Sequence, residues 1–104
     1  MSDFVHLHNH SHYSLQDAAC TIDSLIAATQ ENNMHALALT DHGVMFGISE
    51  FYKKAKIAGI KPIVGVEAYI NFDGSRFERG EKGYGRRKSK HYNHLLLIAK
   101  NEIG

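Results

Sequence analysis

Lysine and arginine are missing from the first half of this chain of 104 residues. None occurs in residues 1–52, which hold Asp3, Asp17, Asp23, Glu31, Asp41 and Glu50 and six of the eight histidines. An acidic, histidine-rich half points to cations. Cysteine is nearly absent, and Cys20 alone excludes an internal disulfide framework. No apolar run is long enough to span a bilayer. The opening MSDFVHLHNH lacks the charged start and apolar stretch of a signal peptide. A cytoplasmic location is therefore expected. The length admits one domain at most, with a modest core.

The basic residues gather later. Arg76, Arg79, Lys82, Arg86, Arg87, Lys88 and Lys90 stand against only Glu78 and Glu81, within a formal net charge of +1 for the whole chain. Such a stretch is either a solvated loop or a contact for a nucleic-acid backbone. In the second case Arg86, Arg87, Lys88 and Lys90 supply the charge, with Tyr84 and Tyr92 available for stacking.

Phe4 to Leu7 is a short strand candidate, followed by a polar loop over residues 8–20. Thr21 is an N-cap candidate, and Asp23 suits the first turn of a helix. Ile22, Leu25, Ile26 and Thr29 mark one face of that helix, and Asn32-Asn33 is its stop. Residues 36–40 form an apolar run that reads as a buried strand. A second helix is expected over residues 47–58, with Ile48, Phe51, Ala55 and Ala58 on one face and Gly59 as its C-cap. Ile63 to Ile70 is a third strand, preceded by Pro62. Residues 71–92 read as a long exposed loop, and Leu95 to Ala99 as a fourth strand. Alternating strands and helices imply a parallel sheet covered by helices. The last strand lacks a following helix, which marks the chain as a truncated piece of a larger barrel or doubly wound domain.

The chemistry concentrates at strand ends. In His6-Leu7-His8-Asn9-His10-Ser11-His12, alternate residues of an extended segment face one side, so His8 and His10 can offer imidazoles to one site. A surface histidine run is the bland alternative. Asp41-His42 directly follows the buried strand, where open sheets and barrels place their sites. Asp41 is a candidate ligand, or a group that orients an imidazole from behind. Alternatively, Thr40 to Gly43 is only a turn. Glu67 interrupts an apolar strand, and an unpaired buried carboxylate is costly. It therefore requires a cation, a hydrogen-bond partner or an exposed face. His94 opens the fourth strand and completes a pattern in which each strand carries one ligand-type residue. Imidazoles mixed with carboxylates suit zinc, manganese or iron better than calcium or magnesium. The surplus of donors fits a cluster of two or three ions, of the kind used in phosphate-ester hydrolysis.

These residues carry a family resemblance. The segments from Phe4 to Ser14, Ala38 to Gly43, Phe51 to Ala55, Gly59 to Tyr69 and His94 to Glu102 resemble, in order, the polymerase and histidinol phosphatase (PHP) domain. The connecting words around Phe51 and Gly59-Ile60-Lys61-Pro62 are similar to the version at the N-terminus of bacterial DNA polymerase III alpha subunits, rather than to stand-alone PHP phosphatases.

The resemblance implies the first four strands, with intervening helices, of a distorted (βα)7 barrel, residues 1–104 forming the N-terminal part of that domain. It implies a divalent-metal site (Zn2+, Mn2+ or Fe2+) held by His8, His10, Asp17, His42, Glu67 and His94, with Glu67 bridging two ions and the remaining ligands further along the barrel. It implies a part in DNA-templated DNA synthesis within a replicative polymerase. The partners would be DNA and other replicase subunits, with no membrane, and the metal site a candidate 3′–5′ exonuclease. A stand-alone metal-dependent phosphoesterase and a non-catalytic, metal-stabilised docking module are the alternatives. With an incomplete cluster, the fragment alone is expected to be inactive.

Overall fold

A computed structural model describes residues 3–15, 17–71 and 93–104. The described elements are α1 (Ile22–Glu31), β1 (Ala36–Leu39), α2 (Ile48–Ile57), β2 (Lys61–Ile70) and β3 (Asn93–Ile98). This is a mixed α/β arrangement. The expected loop contacts of Arg86, Arg87, Lys88, Lys90, Tyr84 and Tyr92 lie outside the described residues.

α1 begins where the sequence chemistry places it. The Thr21 hydroxyl accepts the Ser24 amide at 3.1 Å, satisfying one of the free N–H groups of the first turn. Asp23 adds an anion at the positive end of the helix dipole. The helix ends at Asn32, and Asn33 takes the left-handed conformation (φ 55°) that asparagine tolerates. α2 closes the same way, with Ala58 as the cap, one position earlier than expected, and Gly59 as the left-handed residue after it (φ 75°). Ile22, Ile26, Leu37, Leu39, Phe51, Ala55 and Ile60 form the core between the helices and β1. On the outside, Lys54 pairs with Asp23 of α1 at 2.8 Å and with Glu50 at 2.9 Å, and Glu50 accepts a hydrogen bond from the Tyr13 hydroxyl at 2.8 Å. Lys54 is thus a half-buried tie between the helices.

The sheet has the order β1-β2-β3. β2 serves two neighbours in succession. Lys61 to Val64 pair in parallel with β1, and Gly65 to Ile70 pair antiparallel with β3. Gly65 sits at the change-over, where a Cβ would lie 2.6 Å from the Leu97 carbonyl and 2.9 Å from the Thr40 methyl. Only glycine fits that approach.

Two expectations need correction. The described residues contain three strands, and β3 runs antiparallel rather than parallel. A parallel return needs a crossover, usually a helix, and the Gly- and charge-rich sequence between β2 and β3 offers no helical pattern; an antiparallel return needs none. Phe4 to Leu7 forms no strand. That segment runs beside β1 but shares few backbone bonds with it, from Ala38 N to His6 O (3.1 Å) and from Thr40 N to Asn9 O (2.9 Å). The Asn9 side chain takes over part of the ladder, donating to the carbonyls of His6 (3.1 Å) and Ala38 (3.0 Å). No helix among the described residues is long and apolar enough to cross a membrane.

Phe51 is the largest fully buried side chain and meets both helices and β1 through the core. Phe51→Ala is expected to destabilise the fold by about 3–5 kcal/mol, read as a lower urea midpoint at unchanged slope. A loss below about 1 kcal/mol would mean the core collapses around the gap.

Candidate metal centre

The site forms just past the end of β1, alongside the later half of β2. After Leu39 the two chains stay in parallel contact through an isolated bridge between His42 and Glu67. The Glu67 amide donates to the Asp41 carbonyl (3.0 Å) and the Gly43 amide to the Glu67 carbonyl (3.0 Å). These backbone bonds fix His42 beside Glu67 whatever the side chains do.

Glu67 is 6% exposed and is the hub. Its Oε2 lies 3.0 Å from His8 Nε2, 2.5 Å from His10 Nε2 and 3.4 Å from His42 Nδ1, while its Oε1 lies 3.1 Å from His94 Nδ1. The imidazole rings pack on one another, with centroids 4.0 Å apart for His10 and His42 and 5.1 Å apart for His42 and His94. Burial pushes the Glu67 carboxyl up. The hydrogen bonds from His8 and His10, with the charges of His42 and His8, outweigh burial and bring it down to about 2.

Two ligand sets emerge from this geometry. The donor atoms of His8, His10 and Glu67 lie within 4.8 Å of one another, and so do those of His42, Glu67 and His94. Glu67 belongs to both. His42 Nδ1 is buried and has no hydrogen-bond partner. A buried polar atom normally has one, and an aromatic nitrogen turned toward a carboxylate without bonding it is a donor left over for a cation. The donor set, nitrogen-rich with carboxylate oxygen, is compatible with divalent-metal binding.

Asp17 stands apart. Its exposed carboxylate approaches the site only through His42 Nε2, at 3.7 Å. Asp41 is buried. Its Oδ1 accepts the Ser11 amide (2.6 Å) and the Ser14 hydroxyl (2.9 Å), and its Oδ2 accepts the Ser11 hydroxyl (2.7 Å). It thus grips the loop of residues 11–14 rather than an imidazole. The Ser14 oxygen in turn accepts the His42 amide at 2.9 Å. Ser11, Ser14 and Thr40 are buried polar residues that the sequence reading passed over. Their signal was present: small hydroxyl residues interleaved with histidines beside an aspartate at a buried strand's end.

Imidazoles gathered round one carboxylate on the central strand of an α/β sheet define a chain with a metal-ligand donor set. The PHP domain family model matches residues 6–104. Curated relatives include the DNA polymerase III subunit alpha of Borreliella burgdorferi, 48% identical over 99% of this chain and 8% of that protein. Those of Mycobacterium tuberculosis H37Rv (47% identical, 99% of this chain, 9% of that protein) and Aquifex aeolicus (48%, 98% and 9%) are similar to the same degree. The chain therefore spans only 8–9% of the length of these relatives. A solved amidohydrolase from Chromobacterium violaceum, with bound sulfate and no metal, matches with a TM-score of 0.61 at 24% identity, over 90% of this chain and 26% of that one. That likeness is one of fold. The chain belongs to the PHP domain family.

The depressed Glu67 carboxyl has a consequence in acid. Its ionised form stabilises the metal-free fold at pH above the ordinary carboxylate value of 4.5, and that contribution is lost as pH falls through about 2. The urea midpoint of metal-free Glu67→Gln is expected to lie below that of the parent at about pH 5 and to converge with it toward about pH 2. A gap that stays constant across this range would show that the carboxylate charge plays no part.

Proposed function

We propose that this chain is the N-terminal part of the PHP domain of a bacterial DNA polymerase III alpha subunit, and that it carries part of a multinuclear divalent-metal site. The observation that carries the reading is the match itself: polymerase alpha subunits from distant bacteria align with nearly the whole chain at 47–48% identity. A stand-alone phosphoesterase would share the histidines without requiring the connecting segments to match as well. On this reading the parent is a DNA-directed DNA polymerase of replication, a nucleotidyltransferase acting in the cytoplasm, with DNA and other replicase subunits as partners. The described sheet and helices are then the opening portion of a distorted (βα)7 barrel, whose later strands lie beyond this sequence.

His8, His10 and Glu67 would hold one ion, and His42, Glu67 and His94 a second, with Asp17 at the edge near His42. The donor chemistry supports Zn2+, Mn2+ or Fe2+. The paired placement of Glu67 and the unpartnered His42 Nδ1 support shared rather than isolated sites. When bound, such ions supply activated water and charge stabilisation for phosphate-ester hydrolysis. The chain's own contribution is to hold the imidazoles at fixed spacing around Glu67. A 3′–5′ exonuclease that proofreads the polymerase is the activity this site would serve.

Purified full-length protein is expected to contain zinc, manganese or iron by elemental analysis. The ions should leave as pH falls through the imidazole range, because ligation requires neutral histidine. His8→Ala in that protein should reduce 3′–5′ nuclease activity to background while nucleotide incorporation stays near the parent rate. Nuclease activity unchanged by His8→Ala would remove the exonuclease from the proposal. A protein that stays metal-free after reconstitution would remove the metal site.

A further inference from the structure

The segment that carries His8 and His10 is not held by a strand ladder. At the end of β1 it makes one backbone bond, from Thr40 N to Asn9 O, and its other attachments there run through side chains. Thr40 Oγ1 accepts the Asn9 amide at 3.0 Å and donates to the Asn9 carbonyl at 3.1 Å. Asp41 then grips Ser11 twice and Ser14 once, through the three bonds already described. Ser11, Ser14, Thr40 and Asp41 are all at most 2% exposed. A buried carboxylate with three short hydrogen bonds resists displacement, because losing a donor leaves a charge both desolvated and unpaired.

The Ser14 hydroxyl gives this network its direction. It donates to Asp41 and accepts from the amide of His42. One aspartate therefore touches the His10 side of the site through Ser11 and the His42 side through Ser14. His10 and His42, whose ring centroids are 4.0 Å apart, belong to different ligand sets joined by Glu67. The distance between the two sets depends on how the loop of residues 8–14 lies against the end of β1. Glu67 cannot set that distance alone, because like imidazoles lean on it from several sides and repel one another when charged.

We infer that Asp41 is a positioning residue for the metal site: through Ser11 and Ser14 its carboxylate fixes the spacing between the His8–His10 pair and His42 around Glu67. The inference rests on the metal reading proposed above. Asp41 touches no ligand atom of the site. Its oxygens are occupied by serines, so its effect passes through loop position. Ser14 bonds the His42 amide directly, which adds a second tie to the one that Asp41, the chain neighbour of His42, makes through Ser11.

The test uses the full-length protein, stripped of metal, as wild type, Asp41→Asn and Ser14→Ala. Asparagine keeps the shape but withdraws one acceptor. Alanine at position 14 leaves both Asp41–Ser11 bonds in place and breaks only the bridge to His42. Zinc titration by calorimetry reads affinity, and carbethoxylation followed by peptide mass spectrometry reads the reactivity of each histidine without metal. Both variants are expected to bind zinc about 10- to 100-fold more weakly than wild type. The modification rates of His10 and His42 should rise several-fold while that of His35, at the far end of β1, stays unchanged.

Wild-type zinc affinity and unchanged His10 and His42 reactivity in both variants would overturn the inference while leaving the metal site standing. Equal acceleration at His35 would also overturn it, since that marks general unfolding rather than loop displacement. If Asp41→Asn fails to fold, Ser14→Ala alone decides. A wild-type protein that takes up no zinc would end the metal reading and this inference with it.

Discussion

Everything at this site hangs on the parallel register of β1 and β2. Pairing Ala36 with Lys61 carries forward in the same register until His42 meets Glu67, three residues beyond the end of β1. A shift of one residue would turn every side chain of β2 to the other face. Glu67 would then point away from His42, and the imidazoles from residues 8–10 would face Val66 or Ala68. The apolar core between the helices and β1 is what resists such a slip, because Leu37 and Leu39 must stay under α1 and α2. A buried hydrophobic layer thus sets the coordinates of a polar centre that it never touches.

The antiparallel return of β3 resolves a difficulty that a wholly parallel sheet would create. Sites in parallel sheets gather at the C-terminal ends of strands. His94 lies at the start of its strand, and in a parallel arrangement it would sit at the opposite end from Glu67. Reversing β3 pairs His94 with Tyr69 and brings its ring within reach of Glu67. The Tyr69 ring, edge-on to His94 at 5.2 Å, lies across Gly43, where a Cβ would come within 2.7 Å of it. The turn after His42 is therefore glycine for the sake of a neighbour on the next strand, as well as for its positive φ of 63°.

Much of this was legible in the residues themselves. The cap at Thr21, the left-handed stops after both helices and the apolar faces of α1 and α2 follow from local chemistry that tertiary packing did not override. Glu67 was conspicuous because a carboxylate in an apolar strand must find partners, and the structure gives it imidazoles. The direction of β3 was not legible, since alternating hydrophobicity says that a strand exists and nothing about which way it runs. Phe4 to Leu7 had a strand's composition, but its place in the ladder went to the side chains of Asn9, Thr40 and Asp41. Ser11 and Ser14 stand among the histidines in the sequence, but a serine's value depends on what it is buried against, and spacing does not report that.

The loop of residues 8–14 is tied to the end of β1 by one backbone bond and otherwise by side chains, where a strand would be tied by its backbone throughout. Backbone pairing is indifferent to which residues make it, so a strand keeps its place through long sequence drift. A segment tethered by side chains has no such insurance. Its position is written into Asn9, Ser11, Ser14, Thr40 and Asp41, and can be erased by changing one or two of them while every histidine survives. In this architecture, a count of intact ligands is therefore an incomplete measure of whether a chain can still assemble its metal centre.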